Sequence, residues 1–168
     1  KLCNGQYNLP NGIQIISGNI ILDCNGAKLI GNTNGKSFVS ESRGLWIQQP
    51  NVTIQNCEIR NYSHGIESSS NNLISSNILN STFYWNFRGV SLTNKHNVQY
   101  NNFYNNVVGV DVSVSGTTTD ITWNEIYNNS YNLVNGADGD INAINNWWGT
   151  NEQTQISQSI TDLNDISG

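Results

Sequence analysis

Over most of this chain, ahead of its last twenty residues, apolar residues do not follow helical spacing. They come in short bursts, interrupted by Asn, Gly and Ser, and the bursts repeat. Ile54-Gln55-Asn56-Cys57-Glu58-Ile59-Arg60-Asn61 is followed by Ile74-Ser75-Ser76-Asn77-Ile78-Leu79-Asn80-Ser81. Next come Val98-Gln99-Tyr100-Asn101-Asn102-Phe103-Tyr104-Asn105 and Ile121-Thr122-Trp123-Asn124-Glu125-Ile126-Tyr127-Asn128, and the series closes on Asn145-Asn146-Trp147-Trp148-Gly149. Between the bursts a glycine precedes an apolar residue, at Gly12-Ile13, Gly44-Leu45, Gly65-Ile66, Gly89-Val90 and Gly109-Val110. The period is roughly 20 to 25 residues, with a longer excursion around Gly31 to Pro50.

Each unit therefore predicts a few short strands joined by Asn/Gly/Ser corners, where a left-handed backbone is tolerated. A unit this short cannot bury its apolar face alone, but stacked coils with like residues above like can. The expected fold is all-β: a single-stranded parallel β-helix of about seven coils, roughly 34 Å long at ~4.8 Å per coil. Ile54, Ile74, Val98 and Ile121 would form one inward column, and Ile59, Leu79, Phe103 and Ile126 a second. Gly65, Gly89 and Gly109 would stack at a second corner. Leucine-rich repeats share the period but need a leucine framework that is missing here. A β-sandwich fits the repeat less well. Residues 1–168 read as one domain, with 150–168 as a tail or cap, since Ile156, Ile160, Leu163 and Ile166 stand at near-helical spacing. Lys1 to Gly18 reads as strand and turn, without a capping helix.

The segments Asn19-Ile20-Ile21-Leu22-Asp23-Cys24-Asn25-Gly26, Asn51-Val52-Thr53-Ile54-Gln55-Asn56-Cys57 and Asn145-Asn146-Trp147-Trp148-Gly149 carry a family likeness. With them the chain resembles right-handed parallel β-helix repeat proteins, the periplasmic copper-processing-like and carbohydrate-associated proteins of archaeal and bacterial surfaces. The resemblance implies a right-handed coil and a cell-surface setting. Function stays open, because such helices host lyases, epimerases, adhesins and structural rods. In relatives the Trp-Trp-Gly segment leads into an Asp-rich tail, which Asp162, Asn164 and Asp165 would begin here. That tail, and a start at Lys1 instead of Met, imply a piece of a longer precursor.

Composition narrows the choice of function. Asn accounts for 31 of 168 residues, while Asp, Glu, Lys and Arg together make only 11%. Seven Lys and Arg against twelve Asp and Glu cannot build a phosphate-neutralising face, so no nucleic-acid partner is expected. No apolar run reaches the roughly 18 residues of a membrane helix. Sequons at Asn51, Asn61, Asn80 and Asn128 are glycosylation candidates and point weakly to an extracellular site, since an Asn-rich chain produces them by chance.

Candidate chemistry is sparse. Glu67, Ser91 and Asp111 follow the Gly-apolar pairs and should share one outward row. Two coils, about 9.6 Å, would separate the acids, at the edge of the roughly 6.5–9.5 Å of an inverting carboxylate pair. Solvated surface acids are the plainer reading. Asp138 and Asp140 alternate with Asn142 and could offer oxygens to a cation, but a polar corner explains them as well. His64 and His96 fall in different coils, so zinc or copper is poorly supported and no cofactor is expected. Tyr104, Tyr127 and Trp148, after the second inward column, would make an outward aromatic ladder able to bind sugars or a protein partner. Cys3 and Cys24 lie about one coil apart and could form a disulfide, leaving Cys57 buried or free for an intermolecular bond. A Cys24–Cys57 bond with Cys3 free is the alternative.

These features lead first to a non-catalytic extracellular structural protein of an envelope, sheath or filament, acting through self-association. The alternative is a carbohydrate-binding or polysaccharide-processing β-helix, whose partner would be a glycan.

Overall fold

The structure, a computed structural model, describes residues 1–34, 42–69, 75–113, 119–136 and 140–162. Almost all regular structure is β, and every strand pairing is parallel. The chain visits three sheets in turn, in about six turns, close to the seven expected. The first sheet stacks Gln6–Asn8, Lys28–Ile30, Glu58–Arg60, Thr82–Tyr84, Asn102–Tyr104 and Glu125–Tyr127. The second stacks Ile13–Ile15, Arg43–Ile47, His64–Ser68, Arg88–Leu92, Val108–Val112, Tyr131–Asn135 and Ile160–Thr161. The third stacks Ile20–Asp23, Val52–Gln55, Ser76–Leu79, His96–Gln99, Thr119–Thr122 and Ile141–Asn142. The result is a parallel β-solenoid.

The core is the sum of the inward columns. In the third sheet Ile54, Ile78, Val98 and Ile121 lie in register and are fully buried. In the first sheet Leu29, Ile59, Phe83, Phe103 and Ile126 do the same, and the Phe83 and Phe103 rings stack at 4.8 Å. Burying one such side chain contributes about 1.5–3 kcal/mol.

Two positions correct the expected columns. Ile74 lies outside the described residues, and Ile78 occupies the place assigned to it. Leu79 pairs with Gln55 and Gln99 and is only half-buried, while Phe83 stands above Ile59. The cause is a confusion between two corners. Asn80, with φ 46°, repeats the left-handed Asn56 and not Asn61. This coil is therefore 24 residues long, not 20.

Gly65, Gly89 and Gly109 do stack, as their spacing predicts, although they lie within strands of the second sheet. A Cβ on Gly89 would sit 2.5 Å from the Gly109 carbonyl oxygen and 2.9 Å from Phe103 Cδ1. Glycine is needed here because backbone and a core ring approach too closely for any side chain.

The abundant asparagine has two structural uses. Among the described residues, twelve non-glycine residues have positive φ, and nine of them are Asn. Asparagine tolerates this backbone better than other side chains. The second use is inside the coil. Asn101, Asn124 and Asn146 stack at one corner: Asn124 Oδ1 accepts the Asn101 N–H at 2.9 Å, and Asn146 Oδ1 accepts that of Asn124 at 2.9 Å. Asn86, Asn106 and Asn129 repeat the pattern at the next corner. Each ladder pairs backbone groups that a turn would otherwise leave buried and unpartnered.

The C-terminal segment forms a helix, Gln153–Ser159, and then the strand Ile160–Thr161, which adds to the second sheet beside Tyr131–Asn135. Ile160 and Trp148 pack against the core. Leu163, Asn164, Asp165 and Ile166 lie outside the described residues.

Candidate functional site

The outer face of the first sheet carries a row of stacked aromatic side chains. Its three-residue strands point their middle residue inward and the flanking two outward. One outward column reads Arg60, Tyr84, Tyr104 and Tyr127. The Tyr84 and Tyr104 rings stack at 5.2 Å, and those of Tyr104 and Tyr127 at 5.8 Å. Arg60 lies over Tyr84 and Trp85 at 5.7 and 5.8 Å. The other outward column reads Lys28, Glu58, Thr82, Asn102 and Glu125, and an isolated parallel bridge continues it to Trp147.

The lower end of this face is electrostatically closed. Lys28 Nζ is 2.9 Å from Glu58, and Tyr84 Oη donates to the same carboxylate. Burial pushes Glu58 up, but the Tyr84 and Lys28 hydrogen bonds outweigh it and hold the carboxyl below its ordinary value. Burial and the Glu58 charge together raise the Tyr84 phenol. The upper end is open. Glu125 is exposed, and among the described residues no basic group pairs with it.

Two residues that sequence reasoning did not single out complete the face. Tyr100 and Trp123 occupy successive left-handed corners, with φ 59° and 62°, and are 60% and 54% exposed. Asn56 and Asn80 hold the same corner in earlier coils. Tyr100, Trp123 and Glu125 line a groove of about 340 Å³ together with Asn80, Thr82 and Asn102. The signal for this lay in the repeat: Gln99-Tyr100-Asn101 and Thr122-Trp123-Asn124 put an aromatic where Gln55-Asn56-Cys57 puts asparagine.

The structure brings Tyr104 and Tyr127 together but moves Trp148 off the ladder. The bridge from Glu125 to Trp147 aligns Trp148 with inward Ile126, and Trp148 packs on the core. Trp147 is the outward residue, 45% exposed. The left-handed Asn145 is in phase with Trp123, which shifts the Trp-Trp pair by one residue relative to the expected column.

Glu67, Ser91 and Asp111 share one row on the outer side of the second sheet. Each acid is ion-paired, Glu67 with Arg43 and Asp111 with Arg88. Burial raises the Asp111 carboxyl, and Arg88 partly offsets this. His64 is buried between the two arginines, with Arg88 Nη1 3.3 Å from its Nε2. Burial, then Arg88 and Arg43, lower its pKa to about 4. His96 points into the coil, with Nδ1 2.7 Å from Ser76 Oγ, and burial lowers it to about 4 as well.

The cysteine pairing corrects the first expectation. Cys24 is bonded to Cys57 and Cys3 is a free, exposed thiol. The register explains it: Asp23 pairs with Gln55, so Cys24 and Cys57 flank the same corner in adjacent coils, with Cα atoms 4.9 Å apart. Cys57 is thus neither free nor intermolecular. Asn51, Asn61, Asn80 and Asn128 all occupy left-handed corners, so backbone geometry alone accounts for asparagine at each sequon. Asp138 lies outside the described residues. Asp140 is exposed, and Asn142, its expected companion, donates to Asp120 at 2.9 Å. No metal-binding group of three His, Cys, Asp or Glu occurs among the described residues.

No family model, curated protein or solved structure matches this chain.

Proposed function

We propose that this protein is a glycan-binding β-solenoid acting outside the cytoplasm, and that the aromatic face of the first sheet is its binding surface. One observation carries the reading: Tyr100 and Trp123 are bulky, exposed and held at left-handed φ. A left-handed backbone costs a non-glycine residue roughly 1–2 kcal/mol. Neighbouring coils reduce this cost by using asparagine. Strain retained at an exposed position points to function more than to folding. Two exposed rings beside a groove of Asn, Thr and Glu suit a sugar, which offers C–H faces to rings and hydroxyls to amides and carboxylates. The disulfide supports a site outside the reducing cytoplasm, and no helix among the described residues is long and apolar enough to cross a membrane. Binding needs no acid–base pair, and the ion-paired Glu67 and Asp111 are not assigned one.

A glycan array followed by calorimetry tests this reading. The wild type should bind a defined glycan set, and Tyr100→Asn with Trp123→Asn should abolish binding without weakening the fold. Undiminished binding by the double variant, or no binding of any glycan, would overturn it.

End-to-end self-association is a second reading. Among the described residues, Gln6–Asn8, Ile13–Ile15 and Ile20–Asp23 each pair on one side only, and the exposed Cys3 lies in the same coil. Light scattering with and without reductant tests it. Assemblies loosened by reductant would support linkage through Cys3, and a monomer in both conditions would remove the reading.

A further inference from the structure

We infer that the groove between Tyr100, Trp123 and Glu125 selects a positively charged sugar unit, a glycan bearing free amino groups. The inference rests on the glycan-binding reading and names the ligand class for that face. Among the residues lining the groove, Glu125 alone is an acidic or basic residue; the others are Asn, Ser, Thr, Tyr and Trp. Its carboxylate is exposed and has no cationic partner among the described residues, in contrast to Glu58 three coils below, which Lys28 neutralises.

The surroundings of Glu125 are aromatic. Trp123 is two residues before it and Tyr127 two residues after it on the same strand. Trp147 is its bridge partner in the coil above, and Asn102 its partner below. An unpaired carboxylate beside the π-faces of Tyr and Trp attracts an ammonium by charge and by the ring quadrupole, and repels a carboxylate or sulfate. Asn80, Asn102 and Thr82 then supply hydrogen bonds to sugar hydroxyls. The basic groups of the same face stand in earlier coils: Lys28 is paired with Glu58, and Arg60 lies over Tyr84 and Trp85. An N-acetylated or neutral unit would keep the stacking and lose the charge term. An acidic unit would meet Glu125 directly.

Calorimetry with four probes tests this: glucosamine oligomers, their fully N-acetylated counterparts, neutral glucan oligomers and oligogalacturonates. The wild type should bind the amino oligomer at least about tenfold more tightly than the acetylated one, and the uronate not at all. Glu125→Gln should bring the amino and acetylated oligomers to within about twofold while still binding both. Asp140→Asn, a remote exposed acid, should leave the preference unchanged. Equal binding of acetylated and amino oligomers by the wild type would overturn the inference and leave the glycan-binding reading standing. So would a preference that survives Glu125→Gln, or one lost equally in Asp140→Asn. Failure of every oligomer to bind the wild type would overturn both.

Discussion

Tyr100 donates its backbone N–H to the carbonyl of Trp123 at 3.1 Å, so two bulky residues stack at one left-handed corner of the coil. The corner itself favours asparagine. Trp123→Asn should therefore raise stability by about 1 kcal/mol, since the left-handed penalty falls and little burial is lost from a half-exposed ring. Urea denaturation of the variant beside wild type measures it. A loss of stability above about 1 kcal/mol would mean that the ring supports the fold, and the functional reading of the strain would fail.

Asn124→Ala should be among the most damaging polar substitutions. Asn124 Oδ1 accepts the Asn101 N–H at 2.9 Å, and its Nδ2 donates to the Val98 carbonyl at 2.9 Å. Alanine leaves the buried Asn101 N–H unpaired, at about 1–3 kcal/mol, and removes the side-chain bond to the Val98 carbonyl, at about 1 kcal/mol more. Chemical denaturation should show a loss of roughly 2–4 kcal/mol. Asn105→Ala, at an exposed corner, should lose about 1 kcal/mol or less.

Gly89→Ala has no room to relax. The added Cβ would lie 2.5 Å from a backbone oxygen and 2.9 Å from a core ring, so backbone or Phe103 must move. A loss of about 1–3 kcal/mol is expected. Gly136→Ala is the control, because its nearest contact would be 3.7 Å. A melting curve for each variant decides the point, and equal Tm values would show that the coil spacing adapts.

The solenoid was legible because it rests on a repeat, and repeats survive in composition and spacing. Gly65, Gly89 and Gly109, or Phe103 and Ile126, could be placed by counting. What failed was phase. Asn80 resembles both Asn56 and Asn61 in its local sequence, and only backbone hydrogen bonding decides which corner it forms. The Trp147-Trp148 pair shows the same ambiguity, with one residue of slip exchanging an outward ring for an inward one. The disulfide required that phase as well, since Cys24 meets Cys57 only when Asp23 pairs with Gln55. Tyr104 and Tyr127 were found because they follow an inward column. Tyr100 and Trp123 were passed over because a corner position predicts asparagine, and the exception becomes visible only with the φ angles.

The Cys24–Cys57 bond closes a loop across 33 residues and joins adjacent coils near the first end of the rod. By the loop-entropy relation, Cys57→Ser should cost about 3–4 kcal/mol. Alkylation followed by peptide mass analysis checks the pairing. The native protein should take one label, on Cys3, and the reduced, unfolded protein three. Native labelling of Cys57 would contradict the pairing.

Acid should destabilise the coil through its two buried histidines. His64 and His96 are buried, and burial lowers both to about 4 from an ordinary value near 6.5. At pH 7 the imidazoles are neutral in folded and unfolded chains alike, so full stability is present above about 6.5. As pH falls below that, the unfolded chain binds protons that the folded one refuses, and stability drops until about pH 4. The loss is on the order of 3 kcal/mol for each imidazole. Asp111, whose carboxyl is raised by burial, works in the opposite sense, because its native form gains protons more readily than the unfolded one. Urea midpoints between pH 7.5 and 4.5 should fall steadily in the wild type. His96→Gln should flatten the slope by about one proton, since glutamine cannot charge at any pH. A midpoint independent of pH across this window would mean that the buried imidazoles accept protons in the folded coil, which Ser76 alone, 2.7 Å from His96 Nδ1, gives little means to stabilise.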